Sequence, residues 1–384
     1  MTKQLSTPER GMAKPFRTRS VSHETHEIIA LIPGFMGFDH IGGLSYFAES
    51  ALAALRGARE AEVQRRVPVV GLSTLPASSL AARQLFLFEQ LAQQIELYQP
   101  KRIHLLGHST GGVDAYFATC AHRLDATEWT AQQRAVRAKI ASVTTISSPF
   151  LGTTLVEGMV AKFLVRPLGQ VAPVRELAAA SLGVGLLIAN NRSTPRRVAE
   201  VLESIPSAVG LLHQLLRHRE LIDDLNPHKM LERYEGNLSD LDVQRSYYAT
   251  FVQHSTGYPA SRLFRQLYDA TAETATGSPE DYLDANKRLL SGAQVIAAHA
   301  RSPLTLDGSS NDGICNTLRQ LPPGARQSEV AALVLGDHLD VMGYFDRVDP
   351  LTGRERQTSI FRSGAGFRDN QFFELFGSVA ARLN

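Results

Sequence analysis

The sequence predicts an α/β fold in which a mostly parallel sheet is flanked by helices and interrupted by a helical insertion. From Glu27 onward, short apolar runs alternate with helical patterns, as expected of parallel strands joined by crossover helices. The alternation stops after Pro149 and returns near Tyr247, which indicates that the segment between them is inserted into one sheet. A serine flanked by glycines also lies between a predicted strand and a predicted helix. Together these features predict one α/β unit rather than two independent domains.

Each element is predicted from its own local pattern. A short continuous apolar run bounded by turn residues indicates a buried strand, and apolar residues at helical spacing indicate a helix. The predicted strands are Glu27–Ile32, Val67–Leu72, Arg102–Leu106, Ile140–Ile146, Tyr247–Val252 and Val330–Leu335. The predicted helices of the α/β part are Ser79–Tyr98, which Pro100 closes, and about Gly112–Leu124.

The domain organisation follows from where these patterns begin and stop. Residues 1–26 are polar and are expected to form a disordered arm, whereas residues 27–384 form the α/β domain. Within that domain, residues from about 152 to 236 show helical patterns broken by prolines and form the insertion. The longest uncharged run, Leu177–Asn191, lies in the insertion but is shorter than the roughly 20 residues that a membrane span needs.

Composition and charge exclude several classes of protein. Of the 384 residues, 43% are hydrophobic and 20% are charged, which is typical of a chain with a large core. The net charge of +2 gives no reason to expect nucleic-acid binding. The first residues lack the apolar stretch of a secretory signal, so we expect a cytoplasmic protein, with export by another route left open. Cys120 and Cys315 are expected to be free thiols, although a bridge between them stays open.

The sharpest local motif is Gly107-His108-Ser109-Thr110-Gly111. It follows a predicted strand and opens a predicted helix, the context in which a G-x-S-x-G motif lifts a nucleophilic serine above a sheet. The glycines permit a strained turn, and the helix N-terminus favours negative charge beside the serine. Alone the motif is weak, because a glycine-rich turn can hold a serine by chance. In this context it predicts Ser109 as a nucleophile.

A serine nucleophile needs a histidine base and a carboxylate that orients the base. Both are expected after the serine in the chain, on loops that follow later strands. His338 comes directly after the strand Val330–Leu335, and Asp312 lies in the turn-rich loop 309–313, so we predict them as base and acid. Other candidates for the base are His104, His108 and His299, and other candidates for the acid are Asp307 and Asp337. We expect the histidines to pack in the core or to support the turn at Ser109, and the two carboxylates to lie at the surface.

An acyl-transfer site also needs two backbone N–H donors where negative charge develops. One is expected from Thr110, the residue after the nucleophile, and the other from the loop after the first strand, with Phe35 as the donor. Met36 and Phe38 of the same loop are candidate substrate-binding residues, although they could equally be core residues of a tight loop. Three large apolar side chains in this loop favour an apolar substrate.

Six segments resemble, in the same order, those of the bacterial true lipases, which are triacylglycerol lipases of the α/β-hydrolase superfamily. They are Ile32–Asp39, the GHSTGG elbow, Ser147–Gly152, the strand SYYATF, Asn311–Gly313 and His338–Asp340. The resemblance covers about Ile28–Asp39, Ile103–Gly152 and Ser246–Asp340, and the insertion matches only in position and helical character. It implies the α/β-hydrolase fold, a triad of Ser109, Asp312 and His338, and oxyanion donors at Phe35 and Thr110.

From these features we expect a carboxylic ester hydrolase, a lipase or esterase, that acts on lipid esters through an acyl-enzyme. The insertion is expected to act as a lid that contacts a lipid surface transiently, and we expect no protein partner and no nucleic acid. Two alternatives stay open. One is a phospholipase or acyltransferase with the same triad, and the other is a non-catalytic binding protein with the same fold.

The chain departs from that family at positions that bear on metal binding. Many members bind calcium near the catalytic histidine, and Asp340 matches one ligand. Tyr344 stands where a second ligand is expected, and no aspartate lies between Asp284 and Asp307. Pro33 also stands where the family has a histidine, and the cysteines do not match the family's disulfide. We therefore expect no metal and no cofactor, with calcium as the open alternative.

Overall fold

The computed structural model describes residues 25–35, 37, 40–41, 44–76, 78–154, 220–252, 268–269, 271–272, 280–297, 304–345, 347–348, 355–356 and 366–383. Within these residues the centre is a seven-stranded sheet in which every neighbouring pair runs parallel. The strands are β1 (Glu27–Ile32), β2 (Val69–Gly71), β3 (Arg102–His108), β4 (Ile140–Ile146), β5 (Gln244–Phe251), β6 (Val295–Ile296) and β7 (Val330–Leu335). Their order across the sheet is β2-β1-β3-β4-β5-β7-β6.

Helices cover both faces of the sheet. They are α1 (Glu49–Val63), α2 (Leu80–Tyr98), α3 (Thr110–Phe117), α4 (Ala131–Arg137), α5 (Glu220–Asp224), α6 (Pro227–Tyr234), α7 (Glu280–Ser291) and α8 (Asp369–Ala381). Short 3₁₀ turns span Thr317–Arg319, Gln327–Glu329 and Asp340–Met342. Helices α1 and α8 pack together on one face, whereas α2 and α3 pack on the other.

The apolar run of β1 is explained by burial on both faces of the sheet. Ile29 and Leu31 belong to the core beneath α1 and α8, whereas Ile28 and Ile32 belong to the core beneath α2 and α3. The full burial of each such side chain stabilises the folded state by roughly 1.5–3 kcal/mol. A strand covered on both sides therefore reads as a continuous apolar run instead of an alternating one.

The predicted fold class is confirmed, and strands β1, β4 and β7 have the predicted bounds. Strand β2 is shorter than predicted and covers Val69–Gly71, whereas β3 continues past Leu106 to His108. Helix α2 has the predicted end and begins one residue later, because Ser79 is its N-cap and accepts the N–H of Ala82.

The prediction of a helix over about residues 112–124 was wrong at both ends, because α3 begins at Thr110 and ends at Phe117. It ends early because other groups bind the main-chain oxygens that a longer helix would use. Arg137 donates to the Ala118 and Cys120 carbonyls, and the Thr119 hydroxyl donates to the Tyr116 carbonyl. Four helices, α1, α4, α7 and α8, were not predicted from the sequence.

The insertion predicted over about residues 152–236 is described only at its two ends. Residues 155–219, which include the run Leu177–Asn191, lie outside the described residues, as do residues 1–24 of the predicted arm. The C-terminal end of the insertion forms α5 and α6, in agreement with its helical pattern. Among the helices that the structure describes, none has the length and apolar character needed to cross a membrane.

Candidate active site

Ser109 lies at a sharp turn between the end of β3 and the start of α3. Its backbone has φ 55° and ψ −131°, a conformation that costs a non-glycine residue about 1–3 kcal/mol and persists only where the surroundings enforce it. The Ser109 N–H donates to the Ile146 carbonyl at the end of β4 (2.9 Å). A Cβ on Gly111 would collide with the Ile32 carbonyl oxygen, so this position has no room for a side chain. The G-x-S-x-G motif therefore forms a strained, closely packed elbow.

His338 and Asp312, predicted as base and acid, lie together at the carboxyl end of the sheet. Nδ1 of His338 is 2.8 Å from Oδ2 of Asp312, and the His338 N–H donates to the Asp312 carbonyl at 3.0 Å. Both residues are buried. Ser109 leaves the sheet at the same edge because β3 and β7 run in the same direction. The ring of His108, beside Ser109, lies 4.6 Å from the His338 ring, centroid to centroid.

The Asp312 carboxylate is held by donors on both oxygens. Oδ1 accepts the backbone N–H groups of Ile314 (3.0 Å) and Cys315 (2.7 Å) from its own loop. Oδ2, which faces the histidine, is also 2.5 Å from Thr250 Oγ1 and 3.3 Å from Gln320 Nε2. An ionised carboxylate accepts without donating, so this ring of donors fits the charged form and fixes its orientation.

The contacts made by Thr250 and Gln320 were missed by sequence reasoning. Thr250, on β5, is 2.7 Å from Ser147 Oγ and donates its backbone N–H to Gln320 Oε1 at 2.7 Å. A hydroxyl has one proton, which we assign to the bond from Thr250 to Asp312, so Ser147 donates to Thr250. Ser147 itself has a positive φ of 55° at the end of β4. Because Ser147, Thr250 and Gln320 are far apart in the sequence and meet only in the folded chain, no local motif marks them.

Two of the competing residues, Asp307 and His104, make hydrogen bonds away from the pair formed by Asp312 and His338. Asp307 accepts the N–H and hydroxyl of Ser309 in its own turn, and these hydrogen bonds lower its pKa. His104 lies nearer the amino end of β3, with Nδ1 2.8 Å from Ser142 Oγ. Asp337 is buried beside His338, but the carboxylate on His338 Nδ1 belongs to Asp312. His299 lies outside the described residues.

The loop after β1 forms a turn beside the elbow. The Gly37 N–H donates to the Gly34 carbonyl (3.0 Å), which puts Phe35 at a central position whose N–H the turn does not use. The Phe35 side chain is half-buried and packs against a core cluster that includes Phe150 and Leu318. Thr110 is the first residue of α3, so no earlier helical carbonyl accepts its N–H. Met36 and Phe38 lie outside the described residues.

Arg83 of α2, which sequence reasoning missed, ties this loop to the elbow. Its NH2 group lies 3.4 Å from the Pro33 carbonyl and 3.4 Å from Thr110 Oγ1. Asp114 of α3 balances the buried guanidinium, with Oδ2 at 2.5 Å. Removing one partner of such a buried pair typically costs about 3–5 kcal/mol. The segments that carry Phe35 and Thr110 are thus held against one another by an internal ion pair.

The thiol of Cys315 lies within 4.8 Å of ligand atoms of Asp312 and His338, a grouping with the spacing of a metal site. Burial raises the pKa of this thiol well above its usual value, so the thiol is protonated at neutral pH. The Asp312 oxygens are also occupied by the donors described above. Cys120 and Cys315 are both free thiols, so no disulfide bond joins them.

Asp340, the residue that matches a calcium ligand of the true lipases, makes a hydrogen bond within its own turn. Its Oδ2 accepts the N–H of Asp337 at 2.7 Å. Tyr344 offers a phenol, and that hydroxyl donates to the Ser45 carbonyl. Calcium requires about six to eight oxygen ligands, and Asp340 and Tyr344 by themselves supply few of them.

The sheet order, the strained serine turn after β3 and the histidine after β7 define an α/β-hydrolase fold. No protein-family model matches the sequence, and no curated protein matches it. Solved structures are similar at low identity. EstA from Clostridium botulinum is 18% identical with a TM-score of 0.48, covering 95% of this chain and 89% of that chain. The Staphylococcus hyicus lipase is 14% identical with a TM-score of 0.48, covering 97% of each chain. Lipase 1 from Pelosinus fermentans is 16% identical with a TM-score of 0.45, covering 93% of this chain and 99% of that chain.

Proposed function

We propose that this chain is a serine hydrolase that cleaves carboxylic esters of lipids through an acyl-enzyme. The observation that carries the proposal is the 2.8 Å hydrogen bond between Asp312 and His338 at the edge of the sheet where Ser109 leaves β3. A serine hydroxyl is a weak nucleophile at neutral pH and needs such an oriented base. Asp312 is the orienting group because it accepts the proton on His338 Nδ1, leaving Nε2 as the basic atom.

In the proposed first step, Ser109 Oγ forms a bond to the ester carbonyl carbon while its proton passes to His338 Nε2. The carbonyl oxygen gains negative charge and is stabilised by the Phe35 and Thr110 N–H groups. The C–O bond to the alcohol then breaks, and the alcohol leaves with the proton from His338. Water, activated in turn by His338, cleaves the acyl-enzyme and restores Ser109.

The proposed preference for lipid esters rests on the surroundings of the loop after β1, residues 33–37, which carries Phe35 and is called the oxyanion loop. Phe35 packs against a large buried apolar cluster at the edge of the site. An acyl chain that leaves water for such a surface gains about 25 cal/mol per Å² of apolar area. A long acyl chain should therefore bind more tightly than acetate, up to the length that the pocket accepts.

The substrate class is tested with p-nitrophenyl esters of increasing acyl length, together with an emulsified triglyceride. We expect turnover of the esters, an optimum above acetate and release of fatty acid from the emulsion. p-Nitrophenyl phosphate, which shares the leaving group but lacks a carboxylic acyl carbon, is the matched control and should not react. Turnover of acetate alone would contradict the lipid preference, and turnover of no ester would contradict hydrolase function.

We also propose that catalysis needs no calcium. Incubation with EDTA is expected to leave both kcat and the melting temperature unchanged, because Asp340 and Tyr344 by themselves supply few of the oxygen ligands that calcium requires. Rates and thermal unfolding are measured on the same chelated sample before and after calcium is added back. A loss of activity that calcium restores, and magnesium does not, would show that a calcium site exists.

A further inference from the structure

Two buried side chains, Tyr46 and His108, connect the oxyanion loop to the loop that carries His338. The Tyr46 hydroxyl lies 2.8 Å from Nδ1 of His108. Nε2 of the same ring lies 2.9 Å from the main-chain carbonyl oxygen of His338. His108 is the residue immediately before Ser109, so this connection runs past the elbow.

The direction of each hydrogen bond follows from chemistry. A carbonyl oxygen can only accept, so His108 Nε2 carries a proton and donates to His338. Burial lowers the pKa of His108 well below its usual value, and the electrostatic effect of the neighbouring His338 lowers it further, so the ring is neutral. A neutral ring has one N–H, so Nδ1 accepts, and the donor to it is the Tyr46 hydroxyl.

The far end of this connection is the oxyanion loop. A Cβ placed on Gly34 would come within 2.5 Å of the Tyr46 hydroxyl oxygen and 2.7 Å of Ser109 Cβ, so the loop backbone lies directly against both residues. Burial raises the pKa of the Tyr46 phenol, and a hydrogen bond from the Gly34 N–H lowers that pKa by a smaller amount. The phenol therefore stays protonated at neutral pH and remains a donor to His108.

We propose that Tyr46 and His108 are positioning residues that hold the main chain of His338 at a fixed place relative to Ser109 and the oxyanion loop. The inference rests on the proposed serine hydrolase function. Asp312 holds His338 from one side, through the side chain and the N–H of His338, and His108 holds the carbonyl of the same residue. The base is thereby fixed by its side chain and by both polar groups of its backbone.

The test is Tyr46→Phe, which removes one hydroxyl and keeps the ring. Because the reacting atoms need sub-ångström alignment, we expect kcat to fall by about tenfold or more with KM nearly unchanged. The rate at which a fluorophosphonate labels Ser109 should fall by a similar factor, since labelling uses the same base and the same oxyanion donors.

The matched control is Ser142→Ala. It also removes a hydroxyl that lies 2.8 Å from Nδ1 of a buried histidine on β3, but that histidine is His104, away from the elbow. Both variants should lose similar thermal stability, and only Tyr46→Phe should lose kcat. A general loosening of the core would lower kcat in both.

A pair of substitutions at His108 separates its two hydrogen bonds. Glutamine can place an amide N–H near the position of Nε2 and keep the bond to the His338 carbonyl, whereas asparagine is too short to reach it. His108→Gln should therefore retain more activity than His108→Asn. If Tyr46→Phe and Ser142→Ala have equal kcat values, or if glutamine and asparagine are equally poor, the positioning role is wrong. The proposed function would still stand as long as Ser109→Ala is inactive.

Discussion

Replacing Ser109 with alanine is expected to lower kcat for ester hydrolysis by about 10⁴-fold or more. In the proposed mechanism Ser109 supplies the nucleophilic oxygen, whereas the neighbouring Thr110 hydroxyl faces the Arg83 guanidinium at 3.4 Å. The melting temperature should change little, because alanine keeps the Cβ and therefore the backbone strain that serine already carries at φ 55°. Initial rates and thermal unfolding of the purified variant test both expectations.

Covalent labelling provides a second readout for Ser109. In the reaction with a fluorophosphonate, Ser109 Oγ bonds to phosphorus, fluoride leaves and the serine proton passes to His338. The mass of the intact chain should rise by one phosphonyl group, and Ser109→Ala should remain unlabelled. Ser148→Ala is the matched control, since Ser148 is a buried serine at the end of the neighbouring strand β4, and it should label normally. Full turnover by an esterase-free preparation of Ser109→Ala would refute the assignment.

Asparagine at position 312 should be nearly as damaging, lowering kcat by about 10³-fold or more. The amide places an NH₂ group among donors that now point at a carboxylate, including the Thr250 hydroxyl and the Cys315 N–H. Whichever way it turns, the amide either faces His338 Nδ1 with a donor, which favours the wrong tautomer, or meets donors in its own loop. Steady-state kinetics on soluble esters measure the loss.

Asp307→Asn is the matched control for that change. It alters a carboxylate five residues away in the same chain segment, and this carboxylate caps its own serine turn. Activity should stay close to that of the unmodified chain. Asp337→Asn tests the alternative acid, and a crippled Asp337→Asn beside an active Asp312→Asn would transfer the acid role to Asp337.

The parts of the fold that could be predicted are those with a strong local cause. β1, β4 and β7 are continuous apolar runs because the sheet is covered on both faces, and their bounds were predicted without error. The elbow could be located because its glycines, its serine and the strand before it are contiguous. Helix α8, which was not predicted, also has a local pattern typical of a helix. Its buried residues Phe372, Leu375, Phe376 and Val379 recur at helical spacing.

The parts that could not be predicted depend on contacts between distant segments. Thr250 and Ser147 are 103 positions apart, and they meet because β4 and β5 are neighbours in the sheet. Arg83 looks like any polar residue of an amphipathic helix until α3 brings Asp114 against it. The end of α3 was mispredicted for the same reason, since Arg137 reaches the carbonyls after Phe117 from another helix.

Because β7 lies between β5 and β6, the sheet is incomplete until residues 330–335 have left the ribosome. Among the described strands, the two-residue β6 pairs with β7 alone, so it has nothing to join before then. A nascent chain that stops earlier already contains Ser109 but lacks His338. Because the proposed mechanism needs His338, we expect turnover to be a late event in biosynthesis, and we expect a truncation or proteolytic cut that removes the C-terminal part to silence the protein while leaving Ser109 intact.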